Sequence, residues 1–377
     1  MNRIISFASL LLAAAMLSVS CGEKDGPDTS DSPLVVTVDK PVIKSDGTDA
    51  ALITVSLDGV PVTEGVTFYD EDFNPVEIEG FRFTSTQNGS YVMFASYMAY
   101  NSEKFMIEAI PTDVPAAVAD KPEDAPSISF DRKMLAVQFT GHNCGFCPNM
   151  TNAFSDAKVK HAGKFVHTAV HVPTYSTSIT RLDTPVASSF GVSTFPSFLV
   201  DMTYVSNNYV DLDPTLEARW AEGTGYADAG IAVNSRIEGE YHVATVTVKA
   251  AKDAPYRVGA WLLEDGIEVD QTFATQGVVE RPGYDYDTHN NVVRVADSKY
   301  AVGDYRGYAL GNLKKGGYAS KTFVMKMKTA ASYEFPWKVE NMHLVVFVVT
   351  LDSRGNYSVC NAVDVPVNEV TYFNYAD

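Results

Sequence analysis

Cys144 and Cys147 stand in the run Val137-Gln138-Phe139-Thr140-Gly141-His142-Asn143-Cys144-Gly145-Phe146-Cys147-Pro148, where an apolar segment leads into a Cys-x-x-Cys helix start. A thiol at the N-terminal end of a helix meets unpaired N–H groups and the positive end of the helix dipole, which favour its thiolate. Cys144 is therefore the candidate nucleophile, and Cys147, one turn inside, the thiol that resolves a mixed disulfide. Further on, Phe190-Gly191-Val192-Ser193-Thr194-Phe195-Pro196-Ser197-Phe198-Leu199-Val200 brings Pro196 to the entrance of an apolar strand. Cys360, in the apparent strand Tyr357-Ser358-Val359-Cys360-Asn361-Ala362, reads as a buried and inert thiol.

Other chemistries fit less well. Zinc usually takes four ligands and often a second Cys-x-x-Cys. Here there is one pair, with His142 beside it as the third member of a rival metal or copper site. His167 and His171 alternate with apolar residues, so they share one strand face and read as partly buried. Haem attachment fails because Pro148 stands where the motif needs histidine. Asp285-x-Asp287-x-His289 has a spacing that calcium or a transition metal could use. In so acidic a chain it reads as a solvated loop, with Asp287, His289 and Arg294 making local hydrogen bonds. No phosphate loop or nucleophile elbow is present, and no cofactor is expected. The formal charge of -18, from 47 acidic against 29 basic residues, argues against nucleic acid as a partner.

The elements that must position the dithiol follow from periodicity. Met134 to Phe139 predicts a strand, and Cys147 to Ala162 a helix with Met150, Ala153, Phe154, Ala157 and Val159 on its apolar side. Lys164 to Val172 predicts the next strand, Thr180 to Phe190 a short helix, Ser197 to Asp201 a strand and Pro214 to Glu222 a further helix. This order makes residues 128–225 an α/β domain. Residues 34–110 instead show short alternating strands separated by Asp46-Gly47, Asp58-Gly59 and Asn88-Gly89, which predicts a β-sandwich. Residues 226–377 predict a second one. Between the first two segments, 111–127 carries four prolines among small and acidic residues and reads as an extended linker.

The N-terminus reads as an export signal over residues 1–20. Arg3 supplies the positive charge, and Ile4 to Val19 is uncharged and apolar but shorter than the roughly 20 residues a membrane span needs. Leu17-Ser18-Val19-Ser20-Cys21 resembles a bacterial lipoprotein signal, which implies that Cys21 becomes the lipidated N-terminus and that residues 21–33 form an acidic tether. An exported chain can hold a disulfide. With Cys21 taken by lipid, Cys144 and Cys147 are the natural bridge.

The middle segment resembles a thioredoxin-like domain, which implies that Pro196 is cis and faces the two cysteines. Lys40 to Asp49 resembles the opening of bacterial immunoglobulin-like domains of the invasin type. The whole order, with Phe139-Thr140-Gly141 before the dithiol and His289-Asn290-Asn291-Val292-Val293-Arg294 in a long C-terminal loop, resembles the twenty-eight-kilodalton outer-membrane protein family of lipoproteins. The resemblance implies three domains held to the outer membrane by lipid. The implied activity is thiol–disulfide exchange on exported or envelope proteins, with Cys144, Cys147 and Pro196 as its residues. The alternative is a non-enzymatic binding or adhesion protein in which Cys144–Cys147 is a structural bridge. Where thioredoxins bury an acid in the strand before the dithiol, this chain has Gln138, which cannot accept a proton at neutral pH.

Overall fold

A computed structural model of the protein describes residues 32–121, 127–182, 184–223, 225–298, 304–332 and 334–376. The expected export signal and Cys21 lie outside the described residues. The chain divides between Asp113 and Val114 into two compact units.

The first unit is a β-sandwich. One sheet is built from Leu34–Val38, Ala51–Leu57 and Val60–Val62, and the other from Val42–Lys44, Phe105–Ile110, Gly89–Tyr97 and Thr67–Asp70. The strand period of two decides what is inside: Ala51, Ile53 and Val55 are buried while Leu52 between them is exposed. These residues meet Met93, Ala95, Ile107 and Ala109 of the facing sheet in one core.

The second unit is organised by a nine-stranded sheet. Its strands are β1 (Met134–Thr140), β2 (Phe165–His171), β3 (Ser197–Val200), β4 (Tyr204–Ser206), β5 (Ala254–Glu264), β6 (Val292–Asp297), β7 (Tyr308–Leu313), β8 (Met342–Leu351) and β9 (Tyr357–Pro366). Their spatial order is β4-β3-β1-β2-β6-β5-β8-β9, with β7 on the edge of β5. Helix α1 (Cys147–Lys160) makes the crossover between β1 and β2, which are parallel. β3 returns antiparallel on the other side of β1. Helix α2 (Leu212–Ala221) begins two residues before the start expected at Pro214 and packs Leu212 and Leu216 on Phe154 and Ala157 of α1.

β2 and β6 join the α/β segment to the C-terminal strands through a single pairing, Ala169 with Val292. The chain thereby shares one sheet and one core across residue 225. In β5 and β8 the two sides are both buried. Trp261, Leu263, Val345 and Phe347 face one core with Leu135, Val137 and Phe139 of β1. Val258, Ala260, Leu344 and Val346 face a second core beneath a four-stranded sheet that includes Ala229–Glu238, Tyr241–Ala250 and Tyr318–Lys326. That explains their almost unbroken apolar sequence.

Residues 114–121, extended as their composition implies, are docked rather than free. Asn234 donates to the carbonyl of Ala116 at 2.9 Å, and Val118 N–H to Thr247 Oγ1 at 3.0 Å. Lys249 Nζ lies 2.6 Å from Asp120 Oδ2, with the two side chains 1% and 6% exposed.

Candidate functional site

β1 ends at Thr140, and the chain turns through Gly141 to Phe146 before α1 starts at Cys147. Cys147 is thus the first helical residue, where the sequence reading starts the helix, and Cys144 stands three residues before it, so Cys147 is not one turn inside. The turn is fixed by Cys144 N–H to Gly141 O at 3.0 Å and Cys147 N–H to Cys144 O at 3.1 Å. Cys144 and Cys147 form a disulfide with an S–S distance of 2.00 Å. Gly141 is needed because a Cβ there would lie 2.3 Å from the carbonyl oxygen of Tyr175. That same oxygen accepts from Asn143 N–H at 3.0 Å.

The Phe195–Pro196 bond is cis. Because Ser197 pairs with Phe139, Pro196 sits at the same end of the sheet as the Gly141–Cys147 turn. Tyr175, whose backbone grips Gly141 and Asn143, packs edge-on against Phe195 with ring centroids 5.6 Å apart.

Gln138 is buried and fully engaged. Its amide donates to Thr151 Oγ1 at 3.1 Å, and its carbonyl oxygen lies 3.2 Å from His167 Nε2. Burial pushes the His167 imidazole well below its ordinary pKa. Gln138, His167, His171 and His289 line a cavity of about 120 Å³ beside α1. His171 and His289 stand edge to face at 5.1 Å, and burial lowers the pKa of both. His142 places Nδ1 3.2 Å from the Asp270 carbonyl, while its buried Nε2 has no hydrogen-bond partner.

With Cys144 and Cys147 joined to each other, the sulfurs are not metal ligands in this state. Among the described residues, one group of three brings possible ligand atoms within 4.8 Å, namely His161, Asp213 and Glu217. Lys160 Nζ already sits 2.7 Å from both carboxylates of that group. Asp285 spends its oxygens within its own turn, whereas Asp287, expected to bond locally, reaches back to Gln271. Asp285 accepts from the N–H groups of Asp287 and Thr288, and Asp287 from that of Gln271 at 2.7 Å. Arg294 pairs with Glu264 and donates to the Ile179 carbonyl. Cys360 is a free, partly buried thiol of β9 whose pKa burial raises.

What sequence reasoning missed is a cover over the disulfide. Cys144 is 4% exposed and Cys147 0%. The loop after β5 returns across the turn, and Thr272 N–H donates to His142 O at 2.8 Å and Ala274 N–H to Gly145 O at 2.9 Å. Gln271 Nε2 reaches the carbonyls of His142 and Cys144. Asn149 exchanges hydrogen bonds with Gly277 O and Val279 N–H, and Asn152 donates to Val279 O. Arg281 forms a two-pronged ion pair with Asp156 at 2.8 and 2.6 Å. Nothing in the periodicity of α1 signalled it: Asn149 and Asn152 are buried, whereas Val159, expected on the apolar side, is 82% exposed.

Two histidines should make the stability of this unit depend on pH. His343 lies between Asp364 and Asp265, 2.6 and 3.5 Å from their carboxylates. Burial would lower its pKa, but the two carboxylates outweigh that and raise it to about 9. A raised pKa stabilises the fold fully below the unfolded value of about 6.5 and loses that contribution as pH climbs to the folded value. His242 is the opposite case, lowered by burial to about 4. Its contribution is present above about 6.5 and is lost as pH falls towards the folded value. Thermal melts should therefore peak near neutrality. His343→Gln should flatten the alkaline side alone; an alkaline decline of unchanged size in that variant would show another group to be responsible.

Fold and site define a sheet-rich body with a disulfide held under a loop, and the comparison with protein families narrows its place. Residues 184–370 match the family described as outer membrane protein Omp28, the family that the sequence resembles. Its place is the outer membrane. The matched stretch includes Pro196 and the covering loop but begins after Cys147. Among the described residues no helix is long and apolar enough to cross a membrane. No curated protein matches the chain. A crystal structure of an Agrobacterium tumefaciens protein overlaps 63% of this chain and 96% of its own, at 14% identity and a TM-score of 0.39. A β-glucosidase from Kluyveromyces marxianus in complex with glucose overlaps 88% of this chain and 46% of its own, at 12% identity and a TM-score of 0.17. Overlaps this weak carry no argument about fold or activity.

Proposed function

We propose that this outer-membrane protein, anchored by lipid on Cys21, carries out thiol–disulfide exchange on exported proteins through Cys144 and Cys147. The observation that carries the reading is the disulfide at the β1–α1 junction, with the cis Phe195–Pro196 bond at the same end of the sheet. The order β2-β1-β3-β4 with α1 as a parallel crossover is the arrangement expected of a thioredoxin-like segment.

The chemistry needs no group beyond the thiols. A partner thiolate attacks Cys144 Sγ, a new sulfur–sulfur bond forms to Cys144, and the Cys144–Cys147 bond breaks with Cys147 leaving as thiolate. A second partner thiol then attacks the mixed disulfide, leaving an oxidised partner and two reduced cysteines, with the displaced protons passing between thiols and water. Run backwards, Cys144 attacks and Cys147 resolves. Gln138 supplies no proton at neutral pH, so resolution through Cys147 should be slow.

The burial of both sulfurs favours a second reading, a binding protein in which the bridge is structural. The reduction potential decides between them. A structural bridge lies below about -300 mV. The exchange reading expects a higher potential, together with envelope proteins trapped on Cys144 in Cys147→Ala and none in Cys144→Ala. A potential below that bound with no trapped partner would establish the structural bridge.

A further inference from the structure

Between Ile267 and Tyr286 no residue is buried, so residues 268–285 lend little to any hydrophobic core. Backbone groups hold them. Two carbonyls of the Cys-x-x-Cys turn, those of His142 and Gly145, accept from Thr272 and Ala274. Asn149 and Asn152, three apart on one helix face, grip the main chain of Gly277 and Val279. Contacts of this kind recognise an extended chain by its peptide groups and are indifferent to most of its side chains. Gly145 completes the surface, because a Cβ there would lie 2.9 Å from the Ala274 nitrogen.

We infer that residues 142–152 form a docking groove for an extended polypeptide segment of a partner protein, and that residues 270–281 are its resident occupant in the closed, oxidised state. The covalent step rests on the exchange reading, whereas the recognition rests on the groove alone. A segment held by hydrogen bonds to its main chain, without buried side chains, opens at low cost compared with the core. The Arg281–Asp156 pair, with side chains 36% and 67% exposed, is the latch that an arriving chain has to release. Once the resident leaves, the partner's N–H groups take over the carbonyls of His142 and Gly145, and its cysteine comes to Cys144.

The test uses the full chain and two fluorescent peptides. One has the sequence of residues 268–281, which contains no cysteine, and the other is the same peptide with Ala274→Cys. Arg281→Glu sets two negative charges together and should free the latch, and adding Asp156→Arg should close it again. The thiol-free peptide should bind Arg281→Glu at least tenfold more tightly than the unchanged protein, with the gain lost in the double variant. In the unchanged protein, saturating peptide should accelerate amide exchange at Thr272 and Ala274, a readout that does not depend on how the variants fold. Binding without a mixed disulfide from the cysteine peptide would leave the groove standing and remove the exchange reading. Mixed disulfides formed at equal rates in all three proteins, with no binding of the thiol-free peptide and no change in amide exchange, would overturn the groove and leave exchange intact.

Discussion

Trp261→Ala is expected to destabilise the whole second unit by about 3–5 kcal/mol, and to take the Cys-x-x-Cys segment down with it. Trp261 is fully buried in β5, packs edge-on to Phe347 at 5.4 Å and donates Nε1–H to Ser298 Oγ at 2.9 Å. Its neighbours in the same core include Leu135, Val137 and Phe139 of β1, the strand that delivers the dithiol. The closeness of this packing shows at Gly259, where a Cβ would stand 2.3 Å from the Phe347 ring. Truncation to alanine therefore removes a large apolar surface from a region with little freedom to collapse, and strands Ser298 Oγ. Domains have total stabilities of about 5–15 kcal/mol, so the loss is a large share. Urea unfolding followed both by near-ultraviolet dichroism and by reducibility of the Cys144–Cys147 bond should shift together. A dithiol transition that stays in place while the C-terminal strands melt early would show two independent cores.

Lys249→Met should cost about 3–5 kcal/mol, the usual consequence of leaving one member of a buried pair alone. Burial by itself would raise the pKa of Asp120, but Lys249 and the hydroxyls of Tyr318 and Tyr375 outweigh it and hold the carboxyl below its ordinary value. Without the ammonium, Asp120 keeps only the hydroxyl donors, and its segment loses its main tie to the strand below. Limited proteolysis should then cut within 114–121 well before the sheet is attacked, whereas the unchanged protein should resist there. Equal resistance in both proteins would mean that Val118, Asn234 and Thr247 suffice to hold the segment. Because the carboxyl's pKa is depressed, the pair stabilises the fold above about 3.9 and fades as pH drops through the folded value. The difference between the two proteins should therefore shrink in acid.

Local pattern alone carries much of this molecule. The two-residue period of Ala51 to Leu57, the apolar run of Met342 to Leu351 and the helical start at Cys147 each follow from which side chains can leave water on which face. The strands and helices flanking the dithiol were legible to within a few residues for that reason. The expectation of local hydrogen bonds at Asp287, His289 and Arg294 fails for the opposite reason: their partners are Gln271, Val269, and Glu264 with Ile179, which only the fold brings near. Helix α1 misled in one respect. Val159 was expected on its apolar side and is exposed, while the loop from 270 to 281 makes the amides of Asn149 and Asn152 interior.

Sequence by itself determined which residues can do chemistry here and the elements that present them, since thiol spacing, helix starts and strand periods are properties of contiguous residues. Tertiary structure alone decided that β2 meets β6, so that the dithiol segment and the C-terminal strands share a sheet. It alone decided that a distant loop closes over the disulfide. Both rest on contacts between residues more than a hundred positions apart, made largely through backbone atoms that every residue carries alike. No pattern of side chains records such contacts in advance.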